Sequence, residues 1–300
     1  MKLVAICPCR NEAWIAGLTF RALLLWVDAL IVLDHASDPP VASSNFWDAA
    51  DSHRVTVLCD SDGVWQEMNH RQLLLEAARA QGATHIVTID ADELLSSNHL
   101  TSIRRYFEKM PGNSTFSLPW LQCHNGISYI HVDGLWSRQF ASAGFVDSPS
   151  YNWKPAEDGY QHHHREPYGM GPSYIYRPIQ WGIGGLFHFQ MANERRLRAK
   201  QYLYCLHERL RWPHRKSSEQ VRQQYSPTVY GGVCPPEPPK TPWYPSHNLA
   251  KVPDQWLDAY QPLMRYVDLE AEPWQEREIR RLLAERPDLA SGLDDFGVRV

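Results

Sequence analysis

The chain has 300 residues, 43% of them hydrophobic and 21% charged, with a formal net charge of −4. This describes an ordinary globular protein with room for one large domain or two small ones. It excludes broad electrostatic attraction to nucleic acid or an anionic membrane, though not a local basic face. Six cysteines (Cys7, Cys9, Cys59, Cys123, Cys205, Cys234) without a Cys-x-x-Cys or a paired framework predict free thiols in a reducing compartment.

The first elements alternate. Leu3 to Cys7 reads as a buried strand stopped by Pro8, and Glu12 to Trp26 as a helix. Ala29 to Leu33 is a second strand, ending in the turn formers Asp34-His35-Ala36-Ser37-Asp38-Pro39-Pro40. Arg54 to Leu58 is a third. Trp65 to Ala80 is a strong helix closed by Gly82, and His85 to Ile89 is the fourth strand. This order predicts an α/β fold with a mostly parallel sheet flanked by helices and joined by right-handed crossovers.

Past Asn113 the pattern changes. Short strand-like segments (Thr115 to Leu118, Ser128 to Val132, Ser173 to Arg177, Gly185 to Phe189) alternate with aromatic, Gly/Pro-containing loops. Glu194 to Arg211 is a basic helix. The run Cys234-Pro235-Pro236-Glu237-Pro238-Pro239-Lys240-Thr241-Pro242 is an extended arm, and the last fifty residues read as helices, without a convincing second core. The expected organisation is a domain over 1–232, with a nucleotide-binding half (1–110) and an acceptor half (111–232), then an arm and helical extension over 233–300. No signal peptide is visible. The longest apolar stretch, Ala22 to Leu33, contains Asp28 and is too short for a bilayer, so the expected location is cytoplasmic.

Each early strand ends in polar residues: Arg10-Asn11-Glu12 after the first, Asp34 and Asp38 after the second, and Asp90, Asp92 and Glu93 after the fourth. Parallel topology brings these ends to one edge, where open α/β sheets receive ligands. Three carboxylates together repel one another unless a cation is near, and hard oxygen ligands suit Mg²⁺ or Mn²⁺. The plain alternative is an acidic turn that caps the next helix. Signatures of P-loop hydrolases, serine hydrolases and zincins are missing from the sequence.

Cys9-Arg10-Asn11-Glu12, Leu33-Asp34-His35-Ala36-Ser37-Asp38 and Ile89-Asp90-Ala91-Asp92-Glu93 together resemble the family 2 glycosyltransferases of the GT-A fold. The resemblance covers residues 1–110 and thins beyond them, where Leu186-Phe187-His188-Phe189 with Arg195, Lys200 and Tyr202 still looks like the family. It implies a Rossmann-like fold, a nucleotide-sugar donor (most often a UDP-sugar) and Mn²⁺ or Mg²⁺. It places Pro8, Arg10, Asn11, Glu12, Asp34, Arg71, Asp90 and Ala91 around the nucleotide, and Asp90, Asp92 and His188 at the metal. Arg195 and Lys200 would neutralise diphosphate; a solvated basic helix face is the alternative for them, and a half-buried strand histidine for His188.

The same resemblance points to an acidic pair downstream as the base of an inverting reaction. Glu157-Asp158 is the nearest match, in surroundings that depart from the family's, and Asp133 is the reserve. His162-His163-His164-Arg165 follows. It invites a metal reading, but consecutive side chains on a strand alternate faces, so three in a row cannot easily ligate one ion; one of them is expected at the acceptor or a phosphate and the rest at the surface. The expected acceptor is a carbohydrate or glycoconjugate hydroxyl. Two alternatives stand beside it. One is sugar transfer to hydroxymethylated bases in DNA, suggested by Arg209, Arg211, His214, Arg215, Lys216 and by twelve tryptophans and fourteen tyrosines. The other is an inactive sugar-nucleotide-binding module.

Overall fold

The computed structural model describes residues 1–61, 65–133, 137–153, 165–170, 174–229 and 248–298. The chain forms two compact units, each assembled from separate stretches of sequence. The first comprises Met1–Leu121, Gln139–His188 and Pro253–Asp268, and the second Gln122–Arg138, Phe189–Val252 and Leu269–Val300.

The first unit is built on one mixed sheet. Its strands are β1 (Leu3–Cys9), β2 (Ala29–His35), β3 (Val55–Asp60), β4 (His85–Thr88), β5 (Glu93–Leu95) and β6 (Ser114–Gln122). In the second unit lies β7 (Tyr129–His131), and β8 (Phe140–Val146), β9 (Tyr174–Tyr176) and β10 (Leu186–His188) complete the sheet of the first. The order is β3-β2-β1-β4-β8-β6-β10-β5, with β9 beside β6. The pairs β3–β2, β2–β1 and β1–β4 are parallel, as the alternating sequence predicts. Beyond β4 the pairs β4–β8, β8–β6 and β10–β5 are antiparallel.

Helix α1 (Ala13–Leu24) and helix α2 (Glu67–Ala80) cover opposite faces of the parallel half. Leu3, Ala5, Cys7, Leu30 and Val32 share a core with Ala16, Phe20 and Leu23 of α1. The intervening Val4, Ile6, Ala29, Ile31 and Leu33 share another with Met68, Leu74, Leu75 and Ala78 of α2. Burial on both faces explains why β1 and β2 read as unbroken apolar runs rather than alternating ones.

The ends of the expected strands agree to within two residues except at β6, which runs on from the expected Leu118 to Gln122, and β5 and β8 lie where no strand is expected. Strand β1 continues through Pro8 to Cys9, because β4 pairs only as far as Ile6 and Thr88 while β2 pairs on to Cys9 and Asp34. Proline lacks a donor, so it is tolerated where one neighbour has ended. A short helix α3 (Ile103–Glu108) packs Ile103 and Phe107 into the α1-side core. The C-terminal stretch of this unit is not helical throughout: its 3₁₀ turns carry Tyr260, fully buried, whose hydroxyl donates to the Leu95 carbonyl at 2.7 Å.

The second unit has its own core, contrary to the expectation of none. Helices α4 (Glu194–Arg211), α5 (Ser218–Val229) and α6 (Trp274–Glu285) bury Leu203, Leu206, Val221, Tyr225, Ile279 and Leu282 together. Asn193 caps α4, accepting from the Arg196 amide at 2.8 Å. Strand β11 (Leu249–Lys251), which ends where the expected helical stretch begins, pairs antiparallel with β7. The compact units do not divide at residue 232, because α4 packs against α6 across the intervening chain. The Pro-rich arm lies outside the described residues. Among the described residues no helix is long and apolar enough to cross a membrane, and Cys7, Cys9, Cys59, Cys123 and Cys205 are free thiols.

Gly144 marks where the sheet changes from parallel to antiparallel. A Cβ there would collide with the Ile86 carbonyl and lie 2.9 Å from the Phe107 ring. Gly144→Ala is expected to lower stability by about 1–3 kcal/mol in urea unfolding. Gly112→Ala, with nothing within 4 Å of the new methyl, stays within about 0.5 kcal/mol of the parent.

Candidate active site

The parallel strands bring Cys9, Asp34 and Cys59 into one register row, with the Asp90–Glu93 turn following β4 at the same edge. After β1, Asn11 has a positive φ of 56°. Its amide donates to Ser37 Oγ at 2.9 Å, and its side-chain oxygen accepts from the Asp38 amide at 2.7 Å. These bonds tie the first two strand-end loops together. Arg10 reaches His35 Nδ1 at 3.3 Å. Glu12 accepts from the indole of Trp14, and its carbonyl accepts from the Ala16 amide at 2.8 Å to start α1. Pro8 lies within β1.

Asp34 is 3% exposed, and each of its carboxylate oxygens accepts a backbone amide: Ser37 at 3.0 Å and Val41 at 2.8 Å. It therefore shapes the loop after β2. The Asp-x-Asp turn is held from below by Thr19 of α1, whose hydroxyl donates to the Ala91 carbonyl at 2.7 Å.

Glu93 is the most buried member of the acidic cluster, with no exposed surface. It accepts from the Asp90 amide at 3.0 Å, from Trp120 Nε1 at 2.8 Å, and from two nitrogens of Arg165 at 2.7 and 2.8 Å. Arg165 also donates to Asp90. Burial alone would lower the Arg165 pKa; the charges of Asp90 and Glu93 outweigh it and hold the guanidinium well above its ordinary value. Arg71 is arranged similarly. Its Nε and Nη2 donate to Glu67 at 2.9 and 2.7 Å, and Nη2 approaches Asp90 at 3.4 Å. Arg71 is 2% exposed, and its Nη1 has no hydrogen-bond partner among the described residues.

Asp92 and His188 come together for a different reason. Strand β10 runs antiparallel to β5 with His188 opposite Glu93, which sets the imidazole beside the preceding Asp92. Nε2 lies 3.6 Å from the Asp92 carboxylate, and both side chains are nearly buried. The imidazole stacks on Trp120, with ring centroids 4.6 Å apart and planes 14° from parallel. The glycines before β10 permit this approach: a Cβ on Gly184 would lie 2.6 Å from His99 Nε2 and Ser96 Oγ. The Gly185 amide donates to Ser96 Oγ at 2.9 Å.

Glu157, Asp158 and His162 to His164 fall outside the described residues. Asp133 belongs to the second unit, where it accepts from the Asn248 amide group. Arg195 and Lys200 are on α4 of that unit, and Arg195 makes a two-pronged bond to Glu276 at 2.6 and 2.7 Å. In the basic cluster, Arg209 donates to the carbonyls of Leu289 and Ser291, and Lys216 to Glu208 at 2.7 Å. These bonds satisfy the unit's own acceptors. Burial, then the neighbouring thiol and carboxylates, push the Cys7 thiol up, and burial followed by the Glu12 charge does the same for Cys9, so neither is a thiolate nucleophile. Sequence reasoning did not single out Glu67 or Trp120, and it left open which of the His162–Arg165 run reaches the site.

No family model matches the chain, and no curated protein matches it. Solved structures align to it at low similarity. TarS 1-349 of S. aureus is 11% identical, with a TM-score of 0.40 over 97% of this chain and 92% of that one. A 4-diphosphocytidyl-2C-methyl-D-erythritol synthase is 17% identical, with a TM-score of 0.32 over 49% of this chain and 75% of that one. The corresponding synthase from Anaerococcus prevotii is 11% identical, with a TM-score of 0.27 over 75% and 82%. At these values the alignments carry no argument about chemistry, which rests on the side chains above.

The burial of Glu93 makes a measurable distinction. Glu93→Ala removes the fully buried anchor of the half-buried Arg165 and leaves the Trp120 N–H without its acceptor, and is expected to cost about 3–5 kcal/mol. Asp90→Ala, at a side chain 32% exposed, is expected to cost about 1 kcal/mol. Urea unfolding that gave the two variants equal stability would contradict the anchoring role of Glu93.

Proposed function

We propose that the chain is a glycosyltransferase. In this reading it moves a sugar from a nucleotide-sugar donor, preferably a UDP-sugar, to a hydroxyl of a carbohydrate or glycoconjugate, with inversion and with Mn²⁺ or Mg²⁺ bound. The observation that carries the reading is the sorting of charge at one sheet edge. Two guanidiniums, the buried Arg71 and the half-buried Arg165, are held in place by Glu67, Asp90 and Glu93, beside a carboxylate–imidazole pair, Asp92 and His188. Nucleoside diphosphate chemistry needs both halves: fixed cations for phosphate oxygens, and donors for a divalent ion.

The donor set fits such an ion in part. Asp92 and His188 offer an oxygen and a nitrogen, a combination that favours Mn²⁺ over Mg²⁺. Asp90 is engaged by the two arginines, so diphosphate oxygens would complete the set. When bound, the ion supplies charge neutralisation for the departing diphosphate. Among the described residues the buried Arg71 Nη1 has no hydrogen-bond partner, and a buried donor left so costs about 1–3 kcal/mol. A phosphate oxygen can accept from it.

In the proposed reaction the acceptor oxygen bonds to the donor's anomeric carbon as the bond from that carbon to the diphosphate oxygen breaks. The bonding pair leaves with the nucleoside diphosphate, and the hydroxyl proton passes to a carboxylate base. We assign that base to Asp158, with Glu157 beside it and Asp133 in reserve. The deciding experiment is a screen of UDP-, GDP- and dTDP-sugars for nucleotide release with Mn²⁺. Asp92→Ala is expected to reduce turnover at least ~10³-fold with unchanged circular dichroism, and full activity in EDTA would overturn the metal-dependent reading. Asp158→Asn is expected to lower kcat by roughly 10²–10⁴ with donor affinity unchanged. If Asp133→Asn does so instead, the base is Asp133.

A further inference from the structure

A second cluster of ligand-type side chains lies on the other face of the sheet from Asp34. Parallel register pairs His35 at the end of β2 with Asp60 at the end of β3. Their side chains point to the face of Leu33 and Leu58, which α2 covers. His70, in the first turns of α2, comes down onto them from above. Its Nε2 lies 2.9 Å from Asp60 Oδ2, and its ring centroid is 4.9 Å from that of His35. One ligand atom from each of the three lies within 4.8 Å of the others. Both imidazoles are fully buried, and Trp65 packs edge-on against each, at 5.3 and 5.0 Å.

We propose that His35, Asp60 and His70 form a binding site for a borderline transition-metal ion of the Zn²⁺ type, separate from Asp92 and His188. Two imidazoles and one carboxylate are a donor set suited to Zn²⁺ or Co²⁺, and poorly suited to Mg²⁺ or Ca²⁺. Three protein ligands leave a fourth position for water. The ligands come from two adjacent strands and the helix that covers them, so rigid elements, not loops, set their spacing. A four-coordinate ion needs its ligand atoms closer together than 4.8 Å, and imidazole and carboxylate rotation supplies the remaining approach. Arg10 is the local competitor. Its guanidinium is 3.3 Å from His35 Nδ1, so a metal bound through that nitrogen requires the cation to withdraw, whereas one bound through Nε2 does not. In either case the nearby guanidinium charge opposes a bound cation by Coulomb repulsion.

The test is titration of the intact chain with Zn²⁺ alone, followed by calorimetry, with Co²⁺ absorption reporting coordination geometry. The expected result is one high-affinity equivalent with a tetrahedral Co²⁺ spectrum. Asp60→Asn, a mild change at a partly exposed side chain, is expected to weaken binding roughly 10- to 100-fold. His70→Gln is expected to abolish it, and Arg10→Ala to tighten it. Circular dichroism and melting of each variant establish that it is folded, and Asp60→Asn keeps the test open if His70→Gln is not. Binding that survives both changes but disappears when His162, His163 and His164 are all changed to alanine would overturn the proposal. So would the absence of any high-affinity equivalent in the parent chain.

Discussion

Glu93 is a carboxylate with no exposed surface, and the candidate site depends on how its charge is compensated. An unpaired carboxylate at this depth would cost several kcal/mol. Here the charge is met by a guanidinium, an indole N–H and a backbone amide. Each partner is thereby fixed. The bond from the Asp90 amide closes the turn and sets where Asp90 and Asp92 point. The bond from Trp120 holds the indole on which His188 stacks. The bonds from Arg165 bring a cation from a distant part of the chain to Asp90. The residue that looks least accessible to a ligand thus positions those that a ligand would meet.

The pleat of the sheet divides what the sequence places side by side. Asp34 and His35 are neighbours, yet they face opposite sides. Asp34 turns toward its own loop and accepts the Ser37 and Val41 amides, while His35 turns toward α2 and meets Asp60 and His70. Parallel pairing repeats the division one strand over, with Asp34 beside Cys59 and His35 beside Asp60. One edge therefore carries two chemically distinct clusters. The acidic cluster offers hard oxygen ligands and arginines, and the α2-side cluster offers imidazole.

The first hundred residues were legible because burial on both faces forces continuous apolar strands, and the two covering helices carry strong helix formers and a C-terminal glycine at Gly82. The end of β1 was misplaced at Pro8 because the loss of a donor matters only where a neighbour needs it. The second unit's core was not legible. Helix α4 buries Leu203 and Leu206 among many charges, and its partners Val221 and Ile279 come from helices far along the chain. Arg165 and Trp120 are hidden for a related reason: the antiparallel strand β6 carries Trp120 to Glu93, Arg165 reaches it from outside any strand, and no local spacing encodes either return. His188 was visible as a candidate from the resemblance. Its register opposite Glu93 was not, since β5 and β10 are only three residues each.

The charges also indicate a division of labour among the carboxylates. Within the network, Glu67, Asp90 and Glu93 face Arg71 and Arg165, which leaves one formal negative charge, and Asp92 adds a second. On the proposed reading, two like charges at a half-buried edge attract a divalent cation. They are not equivalent, however. Asp90 is already paired with guanidiniums, and moving it to a cation would leave Arg71 and Arg165 short of a partner. Asp92 has an imidazole for its neighbour, which a cation can share. On the proposed reading Asp90 organises the phosphate-binding side and Asp92 the metal-binding side. On that reading the two aspartates of one short motif differ in role because Asp90 meets the guanidiniums and Asp92 meets His188.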